Sequence, residues 1–231
     1  MGTLFIVATP IGNLEDISQR AIKTLQTVDV IACEDTRKTG LLISKILPID
    51  TKRPRLVSYY EQNELQRIPE VIAAIKDDLN IALVSDAGTP LISDPGFKLV
   101  RECIKEGIKV ESIPGPSSVI TALTVSGLPT DKFMFLGYPP RKPGHRKTLF
   151  ENVKSSLGLV KSTIIFFEAP HKILRTLEEL KEVFGDIEIV LARELTKTYE
   201  EVRHEKISTS IEHFTKTEPK GEFVILFNLG S

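Results

Sequence analysis

The sequence predicts two α/β domains, residues 1–114 on a mostly parallel sheet and residues 115–231 on a mixed sheet. In the first half, short apolar runs alternate with helical patterns across short loops, which is typical of a parallel sheet covered by helices. The turn residues Pro114, Gly115 and Pro116 then precede a new apolar helical run, so we place the domain boundary there. In the second half, several of the strand-like runs fit antiparallel pairing.

Each element is assigned from its hydrophobic periodicity. In the first domain, strands are predicted at residues 3–8, 30–33, 55–58, 81–85 and 109–113. The helices between them are predicted at residues 17–27, 36–46, 68–77 and 97–106. In the second domain, strands are predicted at residues 133–137, 162–168, 188–193, 201–208 and 222–229. Its helices are predicted at residues 119–125, 146–153, 172–183 and 210–215.

The composition indicates a globular protein. The chain has 231 residues, of which 41% are hydrophobic and 26% are charged. Its apolar runs are far shorter than the roughly 20 residues that cross a bilayer, and the N-terminus lacks the features of a secretory signal, so we expect a cytoplasmic protein. The net charge of −1 argues against a protein that coats nucleic acid non-specifically, but it leaves room for a local basic patch.

Neither a disulfide nor a metal site is expected. Cys33 and Cys103 lie in apolar surroundings, as buried free thiols do. The four histidines have no ligand-like spacing to one another or to cysteine, so no metal is predicted.

The segment from Ser85 to Gly96, SDAGTPLISDPG, carries more information than any other stretch of the chain. It follows a buried strand and is longer than the two to six residues that a plain connection needs. Its glycines allow close backbone approach, and its hydroxyl and amide groups can bind a ligand. Asp94 and Pro95 are equally explained as the start of the next helix. Both interpretations can hold, one for each half of the loop.

Charged residues follow the second strand. Glu34, Asp35, Arg37 and Lys38 are expected at its carboxyl end, the edge of a parallel sheet where ligands collect. Helix capping explains Asp35, and the sequence leaves open whether Glu34 and Arg37 are functional or are exposed charges at a helix start.

Other polar groups also follow strands. The first loop contains Pro10 and Gly12, and the serines Ser117 and Ser118 begin a helix whose free amides could accept a carboxylate. Further candidates in the second half are FFEAPH (166–171), the charge-rich run after Ala192, and the Gly221 turn. His171 is more simply a surface or capping group.

One dense basic run, RKPGHRK (141–147), lies in a predicted loop. A solvated loop and a loop that follows a phosphate backbone both fit this composition.

The motifs together resemble the tetrapyrrole methylase superfamily, and in particular its ribosomal RNA branch. The matching strings are TPIGNLEDISQRA (9–21), DVIACEDTRKT (29–39), SDAGTPLISDPG (85–96), PGPSS (114–118), FLGYPPRK (135–142), FFEAPHK (166–172), ARELTKTYEE (192–201) and GEFVIL (221–226). The first two ligand loops differ from the Gly-Pro-Gly and Gly-Asp-Pro types of the small-molecule branch. We therefore expect a methyltransferase that 2′-O-methylates a cytidine of small-subunit ribosomal RNA.

The resemblance also implies the cofactor and its site. S-adenosylmethionine is expected in the cleft between the two domains, against Pro10, Ser85, Asp86, Ala87, Gly88, Ile92, Ser93, Ser117, Ser118, Phe167, Glu168, Ala169, Ala192 and Gly221. A homodimer is expected as well. Members of the RNA branch commonly continue past GEFVIL into a further helical segment, so either the remaining surface of this chain supplies the RNA contact or the chain is a truncated form. The alternatives are a small-molecule tetrapyrrole or precorrin methyltransferase and a non-catalytic S-adenosylmethionine-binding module for ribosome assembly.

Candidates for catalysis of this reaction are found among the charged residues at the strand ends. A protonated ribose hydroxyl is a poor nucleophile, so a base or a cation that favours the alkoxide would help. Glu34, Asp35 and Arg37 are the candidates, with Lys197 second. Arg141, Lys142, Arg146 and Lys147 are the predicted RNA contacts.

Overall fold

The computed structural model describes residues 1–230, except for the side chain of Pro143. The chain divides into two compact units, Met1–Ser117 and Ser118–Ser231. The strands of the first unit are β1 (Thr3–Val7), β2 (Val30–Cys33), β3 (Arg55–Ser58), β4 (Ile81–Val84) and β5 (Lys109–Ile113). Its helices are α1 (Gln19–Thr27), α2 (Thr36–Ile46), α3 (Glu64–Lys76) and α4 (Phe97–Lys105).

The sheet of the first unit is parallel throughout, in the order β3-β2-β4-β1-β5. Strands β2 and β4 are buried at every position, because one apolar cluster lies on each face of the sheet. Leu4 and Ile81 belong to one cluster, and Val7 and Ile31 belong to the other. The prediction of a parallel α/β fold is confirmed. Because all five strands are parallel, their carboxyl ends lie at one edge of the sheet.

Two polar side chains define where helices of this unit begin. Ser18 Oγ accepts a hydrogen bond from the Ala21 amide (3.0 Å), and Asp35 Oδ1 accepts one from the Arg37 amide (2.9 Å). Helix α3 starts at Glu64, four residues before the predicted 68, and contains Pro69. The proline costs the helix one backbone hydrogen bond, but its fixed φ is compatible with a helix.

The second unit has a mixed sheet. Its strands are β6 (Phe133–Phe135), β7 (Thr163–Glu168), β8 (Glu188–Arg193), β9 (Glu201–Lys206) and β10 (Phe223–Phe227). Its helices are α5 (Ser118–Val125), α6 (Pro143–Leu157), α7 (Ile173–Phe184) and α8 (Ile207–Lys216). In the order β6-β7-β10-β8-β9, only the β6–β7 pair is parallel. The predicted mixed sheet is confirmed.

Aromatic side chains fill the core of this unit. Phe150, Phe166, Phe214 and Phe223 are buried, and the first two pack with ring centroids 5.8 Å apart. Helix α6 begins at Pro143 rather than at the predicted 146, so the last part of the basic run is helical. None of the helices described is long and apolar enough to cross a membrane.

Candidate active site

The loops after β1 and β4 are joined at the carboxyl edge of the first sheet. Thr9 and Gly88 exchange backbone hydrogen bonds of 2.9 and 3.1 Å, which form an isolated antiparallel bridge. The Thr9 hydroxyl, which is buried, donates to the Ser85 carbonyl at 3.2 Å. Thr89 Oγ1 donates to the Pro116 carbonyl at 2.9 Å and so connects the loop after β5 as well. Three predicted ligand segments therefore form one surface.

Glycine is required where these loops approach each other. Gly88 has φ +85°, and a Cβ there would lie 3.2 Å from Ile11 Cγ2. A Cβ at Gly115 would lie 3.0 Å from Ala8 Cβ. Leu91 and Ser93 adopt positive φ without being glycine, a conformation that is uncommon and occurs often at ligand sites. The loop presents Ala87, Ile92 and Ser93 to solvent, whereas Ser85 and Gly88 are buried in it.

Asp86 connects this loop to the end of β2. Its carboxylate accepts hydrogen bonds from the Asp35 amide (3.2 Å) and from Lys38 Nζ (2.7 Å). Asp35 itself is held by Arg37, whose Nε and Nη2 lie 3.1 and 2.7 Å from the two carboxylate oxygens. The hydrogen bonds from Arg37 keep the pKa of Asp35 far below its usual value. Asp35 is therefore a poor base and serves as a cap and an anchor for Arg37.

Glu34 has the opposite electrostatic environment. Partial burial raises the pKa of its carboxyl group above the ordinary 4.5, and the charges of Asp86 and Asp94 raise it further. A hydrogen bond from the Asp86 backbone and the charge of Lys38 oppose this shift. A carboxylate with a raised pKa is a better proton acceptor, so Glu34 is the group at this edge best suited to act as a base.

The sequence reasoning missed Glu64, which fixes the far end of the 85–96 loop. Only 4% of this residue is exposed. Its carboxylate accepts hydrogen bonds from the Gly96 amide (3.0 Å) and the Tyr59 hydroxyl (3.1 Å), and Lys98 Nζ lies 2.9 Å away. Its position after the third strand was the available signal, since polar residues follow the other strands too.

In the second unit, the predicted cofactor residues differ in accessibility. The half-buried residues of this unit are Ser118, Phe167, Ala169 and Gly221. In the first unit, Pro10 and Ser117 are half-buried as well. Glu168 and Ala192 are almost completely buried, so their side chains offer a ligand no surface. The Glu168 carboxylate instead accepts hydrogen bonds from Thr176 Oγ1 (2.6 Å) and the Ala169 amide (2.9 Å), which tie β7 to α7.

Arg146 was wrongly predicted to contact RNA. Its side chain is 2% exposed, and its Nε and Nη2 lie 2.6 and 2.8 Å from the two carboxylate oxygens of Glu179. The reason is helical geometry, since α6 turns this residue inward against α7. Lys147, one position on, is exposed and lies 3.3 Å from Glu182. Lys197 is paired with Glu194 at 3.0 Å.

The residues described include neither a metal-binding cluster nor an exposed cysteine. Among the residues described, no three His, Cys, Asp or Glu side chains form a cluster that could hold a metal ion. Both cysteines are buried and free. Burial raises the pKa of Cys103 to about 11 and raises that of Cys33 as well, so both thiols stay protonated at neutral pH.

Comparison with known proteins identifies the group to which this fold and these loops belong. Residues 3–210 match the family model of the tetrapyrrole (corrin/porphyrin) methylases. The chain belongs to the tetrapyrrole methylase family. It is 46% identical over 228 residues to a ribosomal RNA small subunit methyltransferase I of Thermotoga maritima, and the match covers 99% of each chain. The methyltransferase I of Haemophilus influenzae is also 46% identical, over 97% of this chain and 78% of its own length. The predicted relationship to the ribosomal RNA branch is confirmed.

Solved structures of other methyltransferases have the same fold. The uroporphyrin-III C-methyltransferase from Thermus thermophilus in complex with S-adenosylhomocysteine superposes with a TM-score of 0.66 at 17% identity. The match covers 97% of each chain. At this identity the likeness shows the fold alone. Membership of the family makes this chain a methyltransferase.

Proposed function

We propose that this protein transfers a methyl group from S-adenosylmethionine to the 2′-hydroxyl of a cytidine in small-subunit ribosomal RNA. The observation that carries the proposal is the 46% identity, over the full length of both chains, to a relative named for that RNA. The linked loops at the carboxyl edge of the first sheet support it, because ligands of parallel α/β sheets bind at that edge. We also infer a cytoplasmic location and a homodimer.

The residues present fit S-adenosylmethionine. Gly88 and Gly115 allow the neighbouring loops to pack closely, and the 85–96 loop presents Ala87, Ile92 and Ser93 to solvent. The hydroxyls of Ser93 and Ser117 and the loop carbonyls provide polar partners, and Ile92 and Pro10 provide apolar contact. When bound, S-adenosylmethionine supplies an electrophilic methyl group on a sulfonium sulfur.

The chain itself contributes a base and fixed charges. Glu34 accepts the proton of the attacking ribose hydroxyl, and partial burial, followed by the charge of Asp86, raises the pKa of its carboxyl group, which favours that role. Lys38 is held by Asp86 and Arg37 by Asp35, so both cations stay fixed at the first turn of α2. Their guanidinium and ammonium groups are exposed at the edge of the sheet where the substrate is expected.

Direct assay tests this function. Small ribosomal subunits from a strain lacking the corresponding activity are incubated with the protein and isotope-labelled S-adenosylmethionine, and the RNA nucleosides are analysed by mass spectrometry. We expect labelled 2′-O-methylcytidine. Label on a tetrapyrrole supplied in a parallel reaction instead, or binding of the methyl donor without any transfer, would support one of the two alternatives. Light scattering at micromolar concentration tests the dimer, and the mass of a single chain would contradict it.

Substitution of Gly88 by alanine is expected to weaken binding of S-adenosylmethionine. A side chain at φ +85° costs about 1–2 kcal/mol, and the new methyl group would displace Ile11 within the site. Gly107→Ala is the matched control, since Gly107 has φ +68° with nothing within 4 Å of the added Cβ. Calorimetry with a chelator present should show normal affinity for the parent and the control. Loss of binding by the parent in chelator would contradict the metal-free site.

The exposed cations ahead of α6 are expected to contact RNA. Arg141 and Lys142 form no ion pair with any residue described, unlike Arg146 and Lys147. Arg141→Gln with Lys142→Gln should weaken RNA binding and flatten the slope of log K against log salt by about 0.7 for each lost contact with a single strand. The control removes two ion-paired surface lysines, Lys105 and Lys216. Equal slopes for the two double variants would show that the loop is merely solvated.

A further inference from the structure

An exposed tyrosine, Tyr138, lies close in sequence to Arg141 and Lys142, which form no ion pair with any residue described. Tyr138 follows β6 and is 44% exposed. Its ring centroid lies 5.4 Å from that of Phe167, which in turn packs edge-on against Phe135 at 4.9 Å. The three rings form a row that leads from the sheet to the surface and ends at Tyr138.

The backbone holds this ring in place. The Phe167 amide donates to the Gly137 carbonyl at 2.9 Å, which extends the pairing of β6 and β7 to the residue before Tyr138. Pro139 and Pro140 follow and restrict φ, so the segment loses little entropy when it binds a ligand. Tyr138 is therefore a rigid aromatic surface rather than a side chain on a mobile loop.

Arg141 and Lys142 lie three and four residues after Tyr138, immediately before α6. Lys142 is the N-cap residue of α6, and its carbonyl accepts a hydrogen bond from the Arg146 amide at 3.0 Å. The buried pair of Arg146 and Glu179 then anchors the first turns of α6 to α7. One segment, residues 138–142, thus presents an aromatic ring and two unpaired cations.

We propose that Tyr138 stacks against a base of single-stranded RNA while Arg141 and Lys142 bind its phosphates. The inference rests on the proposed function and assigns a substrate contact within it. Proteins recognise unpaired RNA with this combination, because every base has a π-face and every nucleotide carries a phosphate charge. A folded duplex would not expose its bases to such a ring.

The test compares Tyr138→Leu with the parent in binding a fluorescently labelled short oligocytidylate and an abasic analogue of the same length. Loss of one stacked base should weaken oligocytidylate binding roughly 5- to 100-fold, and Tyr138→Phe should bind like the parent. The salt dependence of Tyr138→Leu should match that of the parent, because no charge is lost. Abasic RNA should bind the parent and Tyr138→Leu equally well.

Phe133→Leu is the matched control, since Phe133 lies at the opposite end of β6 with 43% exposure. The inference is overturned if Tyr138→Leu binds oligocytidylate as the parent does, if abasic RNA shows the same loss, or if Phe133→Leu loses as much affinity. Failure of the proposed function is a separate result, namely that the parent transfers no methyl group to undermethylated small subunits.

Discussion

Glu34→Gln is expected to lower kcat by about 100- to 10,000-fold while leaving the affinity for S-adenosylmethionine unchanged. The range is that of general-base catalysis, and the amide cannot accept the ribose proton. Because the pKa of Glu34 is raised in the folded protein, removing its charge should not reduce stability at neutral pH. Single-turnover methyl transfer measures the rate of the reaction, calorimetry measures the affinity for S-adenosylmethionine, and thermal unfolding measures the stability. Glu61→Gln replaces an exposed carboxylate of the same unit and is the control.

The pH dependence of the rate separates a base from a binding residue. A base acts when deprotonated, so the parent rate should rise with pH through a pKa above 4.5, and Glu34→Gln should lose that acid limb. In Asp86→Asn the negative charge that raises the pKa of Glu34 is gone, so the acid limb should move to lower pH. An unchanged acid limb in Glu34→Gln would assign the proton transfer to another group.

The edge of the first sheet was predictable because β2 and β4 are short, fully apolar and followed at once by polar loops. Strands β2 and β4 lie within a residue of their predicted bounds, and the bridge between Thr9 and Gly88 joins the loops after β1 and β4, which pair in parallel. The sequence did not predict which charged residue at this edge is suited to act as a base. Glu34 and Asp35 are adjacent in sequence, but burial and the charge of Asp86 raise the pKa of Glu34, whereas the hydrogen bonds from Arg37 lower that of Asp35.

The role of Arg146 could not be predicted for a related reason. Its partner Glu179 lies 33 residues away on another helix, and the basic composition of residues 141–147 is the same whether a cation faces solvent or the core. Local composition identifies the charge of a segment, and packing between helices decides which charges remain available. Here packing divides one basic run into a buried anchor, Arg146, one exposed cation in an ion pair, Lys147, and two exposed cations that form no ion pair with any residue described, Arg141 and Lys142.

Arg146→Ala is therefore expected to destabilise the protein by about 3–5 kcal/mol, because the substitution leaves the Glu179 carboxylate largely buried without its main partner. Arg175 lies 3.4 Å from the same carboxylate but is mostly exposed, so it replaces only part of the lost interaction. Lys147→Ala breaks a solvated pair and should cost about 1 kcal/mol or less. In Arg146→Leu with Glu179→Leu both charges are absent, and much of the stability should return. Urea unfolding measures all three variants. A loss for Arg146→Ala no larger than that for Lys147→Ala would show that the buried pair does not anchor α6.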